Sequence, residues 1–113
     1  MVKVEGNAIT LTRGDTLVRS VVIHDTDGNV YTPKEGDQVR FALKSDFKDT
    51  KPLLLKEIPI DTMVLRLESS ETKRFDQPKR YVYDIQITID DGTEEGFVST
   101  FISSTLTTVE EVD

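Results

Sequence analysis

The sequence contains no cysteine, no tryptophan and a single histidine. Without cysteine, a disulfide framework, a thiolate metal site and a cysteine nucleophile are excluded, and one histidine excludes a metal site built on two. No apolar run approaches the ~20 residues of a membrane-spanning helix. The N-terminus MVKVEGNAITL also lacks a basic segment followed by a long apolar run. We therefore expect neither a signal peptide nor a transmembrane segment.

Basic residues are in the minority, with 14 Lys and Arg against 21 Asp and Glu and a formal net charge of −7. An acidic surface repels a polyanion, so we do not expect nucleic acid as a partner. Hydrophobic residues make up 36% of the chain, which is too many for a disordered protein. At 113 residues there is room for one core, and we interpret residues 1–113 as a single domain.

The clearest pattern lies in residues 80–92, RYVYDIQITIDDG. Apolar side chains occupy every second position, which is the period of a strand with one buried face: Tyr81, Tyr83, Ile85, Ile87 and Ile89. Asp-Asp-Gly then closes the strand with residues suited to a turn. We predict a central strand here, with its inward side chains at the middle of the core and residues 94–103 returning antiparallel.

Shorter runs with the same alternation, bounded by turn residues, predict the remaining strands: 7–12, 17–24, 30–31, 37–45, 53–58, 63–67, 97–103 and 106–109. Arg19 interrupts the apolar face of the second of these, so we place it at an edge with its head group in water. Residues 70–75 change period and predict a short helix, with Ser70 as its cap and Phe75 docked on the core. This arrangement predicts an all-β fold, an antiparallel immunoglobulin-like β-sandwich with one short helical crossover.

No group of residues forms a recognisable catalytic, cofactor or metal site, and we predict none. Asp25, Asp27 and Asn29 have a faint likeness to a calcium loop, but the closing glutamate is missing, so a hairpin turn is favoured. Asp90 and Asp91 are interpreted in the same way.

His24 lies near Ser20 and Thr26, yet nothing in the local sequence supplies an oxyanion hole or an orienting base. The tripeptide at residues 13–15, Arg-Gly-Asp, is better explained as a strand-ending turn than as an adhesion motif. Several acidic residues are interpreted as solvated surface: Glu68, Glu71, Asp76, Glu94 and Glu95.

The order of the motifs resembles the N-terminal immunoglobulin-like domain of phage baseplate upper proteins and related small phage and prophage tail proteins. The matching pieces cover nearly the whole chain: ITLTRGDTL at 9–17, DTDGNVY at 25–31, VRFALK at 39–44, LRLESSETKRF at 65–75, RYVYDIQITIDDG at 80–92 and TLTTVEEV at 105–112.

This resemblance implies a non-enzymatic structural or assembly protein of a phage or prophage tail, acting through contacts with other tail or baseplate proteins. It implies no catalytic residue and no cofactor. A virion component made in the bacterial cytoplasm is expected. The chain ends directly after its last predicted strand, so a free-standing tail component and a trimmed N-terminal domain both remain open.

Two other functions compete with this one. A carbohydrate-binding or adhesive sandwich module would need aromatic platforms, for which the candidates are Tyr31, Phe47, Tyr81 and Phe97. A hydrolase built on a sandwich lacks a catalytic constellation. Residues 100–109 carry no charge, so this strand, or the strand at residues 9–12, is expected to present an edge to a tail partner or to a second copy in a homo-oligomer. The alternative is that both strands close the sheet internally.

Overall fold

A computed structural model describes residues 2–109, so the predictions for residue 1 and for residues 110–113, including the end of the TLTTVEEV motif, lie outside the described residues. Within residues 2–109 there are ten strands and one helix. Their bounds are β1 Val2–Glu5, β2 Ala8–Thr12, β3 Leu17–Ser20, β4 Ile23–His24, β5 Val30–Tyr31, β6 Gln38–Lys44, β7 Leu54–Ile58, β8 Val64–Leu67, α1 Ser69–Thr72, β9 Lys79–Ile89 and β10 Phe97–Val109.

Six of these strands form one sheet in the order β1-β2-β10-β9-β6-β7. Strands β3 and β8 form a separate antiparallel pair, and β4 and β5 form a short ribbon. Strand β9 therefore lies inside the large sheet, with β10 on one side and β6 on the other, as the alternation in residues 80–92 predicts. The all-β class is confirmed.

The core lies between the inward faces of the large sheet and the β3–β8 pair. Tyr81, Tyr83, Ile85 and Ile87 of β9 are each at most 2% exposed. Residues of both sheets belong to the same buried cluster, including Val39, Phe41 and Leu43 on β6, Leu17 on β3, and Leu65 and Leu67 on β8. The inward face predicted for β9 is thus confirmed.

Two strand predictions need correction. The strand predicted at residues 17–24 is broken into β3 and β4, because the chain changes partner: β3 pairs with β8, the Val21 amide still donates to the Met63 carbonyl at 2.8 Å, and Ile23 and His24 pair with β5 instead. The two strands predicted at 97–103 and 106–109 are one, β10. Its register against β9 shifts between Thr100 and Ile102, and this bulge takes up an extra residue without ending the strand.

The prediction of a purely antiparallel fold is wrong at one position. Strand β10 pairs in parallel with β2, with Leu106 opposite Ile9 and Val109 opposite Thr12. The free edge predicted at residues 9–12 is wrong, because β2 lies between β1 and β10, and the free edge predicted at residues 100–109 is wrong for its last part, because residues 106–109 lie between β9 and β2. Among the described strands, only β9 flanks residues 97–105.

The helix is confirmed but is shorter than predicted and begins earlier. Its N-cap is Glu68 rather than Ser70, since the Glu71 carboxylate reaches back and accepts the Glu68 amide at 2.9 Å. Phe75 is buried, as predicted, and its ring lies 5.5 Å from the ring of Tyr81. Lys73 is exposed.

The chain enters β9 through a hydrogen-bonded corner. The Asp76 amide donates to the Tyr81 hydroxyl at 2.8 Å. Buried Thr108 accepts the Lys79 amide at 3.0 Å and donates to the Asp76 carbonyl at 2.6 Å. The segment after the helix is therefore held both by the strand that it precedes and by the far end of β10.

We expect Ile85→Ala to lower the free energy of unfolding by about 2–5 kcal/mol, because the substitution leaves a cavity at a position that is 0% exposed. The matched control is Ile89→Ala on the same face of β9, where the side chain is only partly buried and the loss should be clearly smaller. Urea denaturation measures both. Equal losses at the two positions would contradict the burial difference.

Candidate functional site

No cluster of potential metal ligands is found in the described part of the chain. Across residues 2–109, no three His, Asp or Glu side chains come together in a way that could hold an ion. No helix within the same residues is long and apolar enough to cross a membrane.

The acidic turns are explained by hydrogen bonds to their own backbone. One Asp25 carboxylate oxygen accepts the amides of Asp27 at 2.9 Å and Asn29 at 3.0 Å, and the Asp25 carbonyl accepts the Gly28 amide. Asp91 similarly accepts the Thr93 amide at 3.0 Å. The hairpin-turn interpretation of residues 25–29 is confirmed.

The Arg-Gly-Asp tripeptide is hydrogen-bonded to the last residue of the helix. The Gly14 amide donates to the Thr72 hydroxyl at 3.0 Å, and that hydroxyl donates to the Asp15 carbonyl at 2.9 Å. Thr72 is 0% exposed, so this contact lies inside the protein. The tripeptide is a strand-ending turn, as predicted, and does not protrude as an adhesion loop would.

The aromatic candidates for a sugar platform are separated. Tyr81 is buried and Tyr31 is half-buried, whereas Phe47 and Phe97 are 61% and 57% exposed. Phe47 follows β6 at the end that pairs with Val82, and Phe97 pairs with Ile89 at the other end of β9. Seven strand residues span about 20 Å, so the two exposed rings do not form one platform.

A groove of about 390 Å³ opens where the β3–β4 segment passes the free flank of β10. Its walls are the apolar side chains Val21, Val22, Phe101 and Ile102 and the polar side chains Asn7, Arg19, Ser20 and His24. The structure thus brings Ser20 and His24 to one groove. Among the described residues that line it there is no carboxylate to orient the imidazole, so the groove lacks the third member of a hydrolytic triad.

Arg19 lines this groove, and its guanidinium group forms hydrogen bonds with other residues of the chain. It donates to the Tyr83 hydroxyl at 2.9 Å, to the Asn7 side-chain oxygen at 2.8 Å and to the Gly6 carbonyl at 3.3 Å. The Tyr83 hydroxyl in turn donates to the Asn7 carbonyl. Arg19 therefore joins β3, β9 and the β1–β2 turn, a role that the sequence did not predict. Its predicted place at an edge agrees with the structure, since β3 pairs with β8 alone among the described strands and two of the three guanidinium contacts are exposed.

Burial raises the pKa of Tyr83 above its ordinary value of 10.0, although the Arg19 guanidinium beside it acts in the opposite direction. The phenol is therefore neutral at physiological pH and keeps the proton that it donates to Asn7. This cluster holds the fold together and offers no reactive group.

A second polar centre, around Asp37, ties two loops together. One Asp37 oxygen accepts the Tyr31 hydroxyl at 2.6 Å and the Lys34 amide at 2.9 Å, and the other accepts the Asp90 amide at 3.0 Å. Burial alone would raise the pKa of Asp37, but hydrogen bonds from Lys34, Tyr31 and Asp90 outweigh it and hold the pKa below 3.8. The hydrogen bond to Asp37 is the main cause that raises the pKa of Tyr31 to about 12.

The acidic residues taken as solvated surface are in part engaged. Glu71 pairs with Lys56 at 2.6 Å, with both side chains partly buried, and Glu68 pairs with Arg66 at 2.6 Å near the surface. Glu94 and Glu95 line an open acidic groove of about 480 Å³ beside the β9–β10 loop. Nothing in these contacts sets up a paired acid and base.

The large sheet ends in two strand edges. Strand β7 ends the large sheet on one side, and Leu53 and Leu55, at 57% and 62% exposure, stand on or next to it. Strand β1 ends the sheet on the other side. Sequence reasoning missed β1, although Val2 and Val4 alternate with charged residues and the Gly-Asn turn that follows favours a hairpin.

No protein-family model matches the chain, and no curated protein matches it.

Asp37→Asn is expected to lower the free energy of unfolding at pH 7 by about 1.5–3 kcal/mol, the range for hydrogen bonds to a charged group. Because the folded-state pKa of Asp37 is below 3.8, the carboxylate stabilises the fold above that value and loses this effect as the pH falls through the folded-state pKa. The difference between wild type and variant should therefore shrink in acid.

Urea denaturation from pH 7 to pH 2 measures this difference. Asp61→Asn, at an exposed turn position, is the control and should change stability little at any pH. A wild-type to Asp37→Asn difference that stayed constant across this range would contradict the role of the charge.

Proposed function

We propose that this protein is a non-enzymatic structural module of a phage or prophage tail, built as an immunoglobulin-like sandwich and acting through protein–protein contacts. It would be made in the bacterial cytoplasm and incorporated into the virion. The proposal combines the resemblance of the motif order to baseplate upper proteins with the surface of the sheet.

Three features of the fold support the immunoglobulin-like part of the proposal. The order β10-β9-β6 matches the G-F-C sheet of that architecture, with β7 beside it and β3–β8 in the place of strands B and E. The short helix crosses from β8 to β9, at the position of the E–F connection. The Tyr81 hydroxyl accepts a backbone amide five residues upstream, as in a tyrosine corner.

The observation that carries the protein-contact part is the β7 edge. Leu53 and Leu55 are exposed beside a row of backbone groups with β6 on one side only, among the described strands. An exposed apolar edge strand is a template for pairing with another chain unless charge or proline protects it. The ammonium group of Lys56 is held by Glu71 at 2.6 Å, and the exposed Glu57 and Pro59 protect the later half of β7. The apolar part of the edge is therefore its first half, at Leu53 and Leu55.

The carbohydrate-binding alternative is less well supported, since its two exposed aromatic rings lie at opposite ends of β9. A hydrolase is disfavoured by the groove beside β10, where Ser20 and His24 meet no carboxylate among the described lining residues.

Deleting the reading frame from the phage or prophage that encodes it is expected to give particles with incomplete tails and a loss of infectious titre. Electron microscopy and plaque counts measure the two effects, and the wild-type gene supplied in trans should restore both. Complete, infectious particles without this protein would overturn the proposed role.

Complementation with Leu55→Glu tests the edge itself. We expect this variant to fold but to fail to restore titre, because the charge is placed on the exposed apolar edge. Val18→Glu, at a position with a similar exposure of 57% on β3, is the matched control and should restore it. Full rescue by Leu55→Glu would leave the tail role standing and exclude β7 as the contact.

A further inference from the structure

Strand β1 is the end strand of the large sheet and has only β2 as a neighbour among the described strands. All four of its residues are exposed. Val2 and Val4 pair with Leu11 and Ile9, which are buried, so the two valines extend the core face of the sheet past its covered part. Their exposed fractions of 38% and 41% show that this strip is only half covered.

The opposite face of β1 carries one charge of each sign. Lys3 and Glu5 form an ion pair at 2.8 Å, with side chains 61% and 71% exposed. Exposed ion pairs of this kind contribute little to stability. The order of the charges along the strand, basic at residue 3 and acidic at residue 5, can instead determine how a partner strand aligns with β1.

The hairpin geometry sets which backbone groups of β1 are free. Gly6 has φ +59 and occupies the first position of the two-residue Gly6–Asn7 turn, as a type II′ turn requires. In such a hairpin the closing pair, Glu5 and Ala8, exchanges its hydrogen bonds, and bonded and non-bonded pairs then alternate. The amide and carbonyl of Val4 consequently point away from β2.

We propose that β1 is a self-association edge, on which β1 of a second copy pairs antiparallel across a two-fold axis with Val4 opposite Val4 of the partner subunit. The two Val4 residues exchange both backbone hydrogen bonds. The apolar strips on the core side, Val2 and Val4 from each copy, then meet. This pairing does not depend on the proposed role in a tail.

Charge selects this register. With Val4 opposite Val4 of the partner subunit, Lys3 stands opposite Glu5 of the partner subunit, and the relation holds in both directions. These are non-bonded pairs, in which opposite side chains approach most closely. A slip by two residues in either direction places Lys3 on Lys3 or Glu5 on Glu5, and a slip by one turns the valines to the wrong face.

The size of the contact sets its strength. A four-residue edge buries far less than the about 1,200 Å² of a standard stable interface, so the dimer is weak in free solution. It becomes populated at high concentration or where other contacts hold two copies together, since linkage raises the effective concentration of the second edge.

The test is charge exchange, measured by sedimentation equilibrium and by the concentration dependence of the Val4 amide resonance. Lys3→Glu and Glu5→Lys should each weaken self-association by about tenfold, because two attractive pairs per dimer become repulsive. Mixing the two variants should restore association to at least the wild-type level, and the double variant Lys3→Glu/Glu5→Lys should also associate.

Arg66→Glu is the matched control, since it reverses one member of a similar exposed ion pair on β8, at 57% exposure, and should leave association unchanged. Restoration on mixing separates an interface from a merely structural effect, because both single variants lose the internal Lys3–Glu5 pair. A wild-type protein that stays monomeric at millimolar concentration, or variants that do not recover on mixing, would overturn the proposal and assign the charges to protection of a lone edge.

Discussion

Tyr81 and Tyr83 carry their hydroxyl groups into the interior on successive inward positions of β9, and each hydroxyl needs a hydrogen-bond partner there. Tyr81 finds one in the Asp76 amide at the helix corner. Tyr83 finds partners in Arg19 and in the Asn7 carbonyl. Satisfying two neighbouring phenols thus fixes the entry to β9 at one place and the β1–β2 turn at another.

This requirement links the core to the surface. The turn that ends β1 is held by hydrogen bonds from Arg19 and Tyr83, and Arg19 also lines the groove beside β10. A strand with no buried residue of its own is therefore kept in register by groups on β3 and β9. The exposed edge of β1 depends on a buried tyrosine for its position, which explains how four exposed residues can form a defined strand.

The strand edges of the large sheet are unequally covered. The long uncharged strand β10 would aggregate if both of its sides were free, but β9 covers one side and β2 covers the last part of the other. A bulge between Thr100 and Ile102 disturbs the uncovered part, which is a common protection of strand edges. The end strands of the large sheet are β7 and β1, and their side chains differ in chemistry: leucines on the first, alternating valine and charge on the second.

The amino-acid pattern alone determined the all-β class, the inward faces of β6 and β9, the turns at residues 25–29 and 13–15, and a short helix before Phe75, because alternation, turn chemistry and capping are local properties. Tertiary structure alone decided the parallel pairing of β2 with β10, which residues form edges, and the role of Arg19. Each of these depends on which distant groups meet: Arg19 lies 64 residues from Tyr83, and no local pattern encodes that a buried phenol will need its guanidinium.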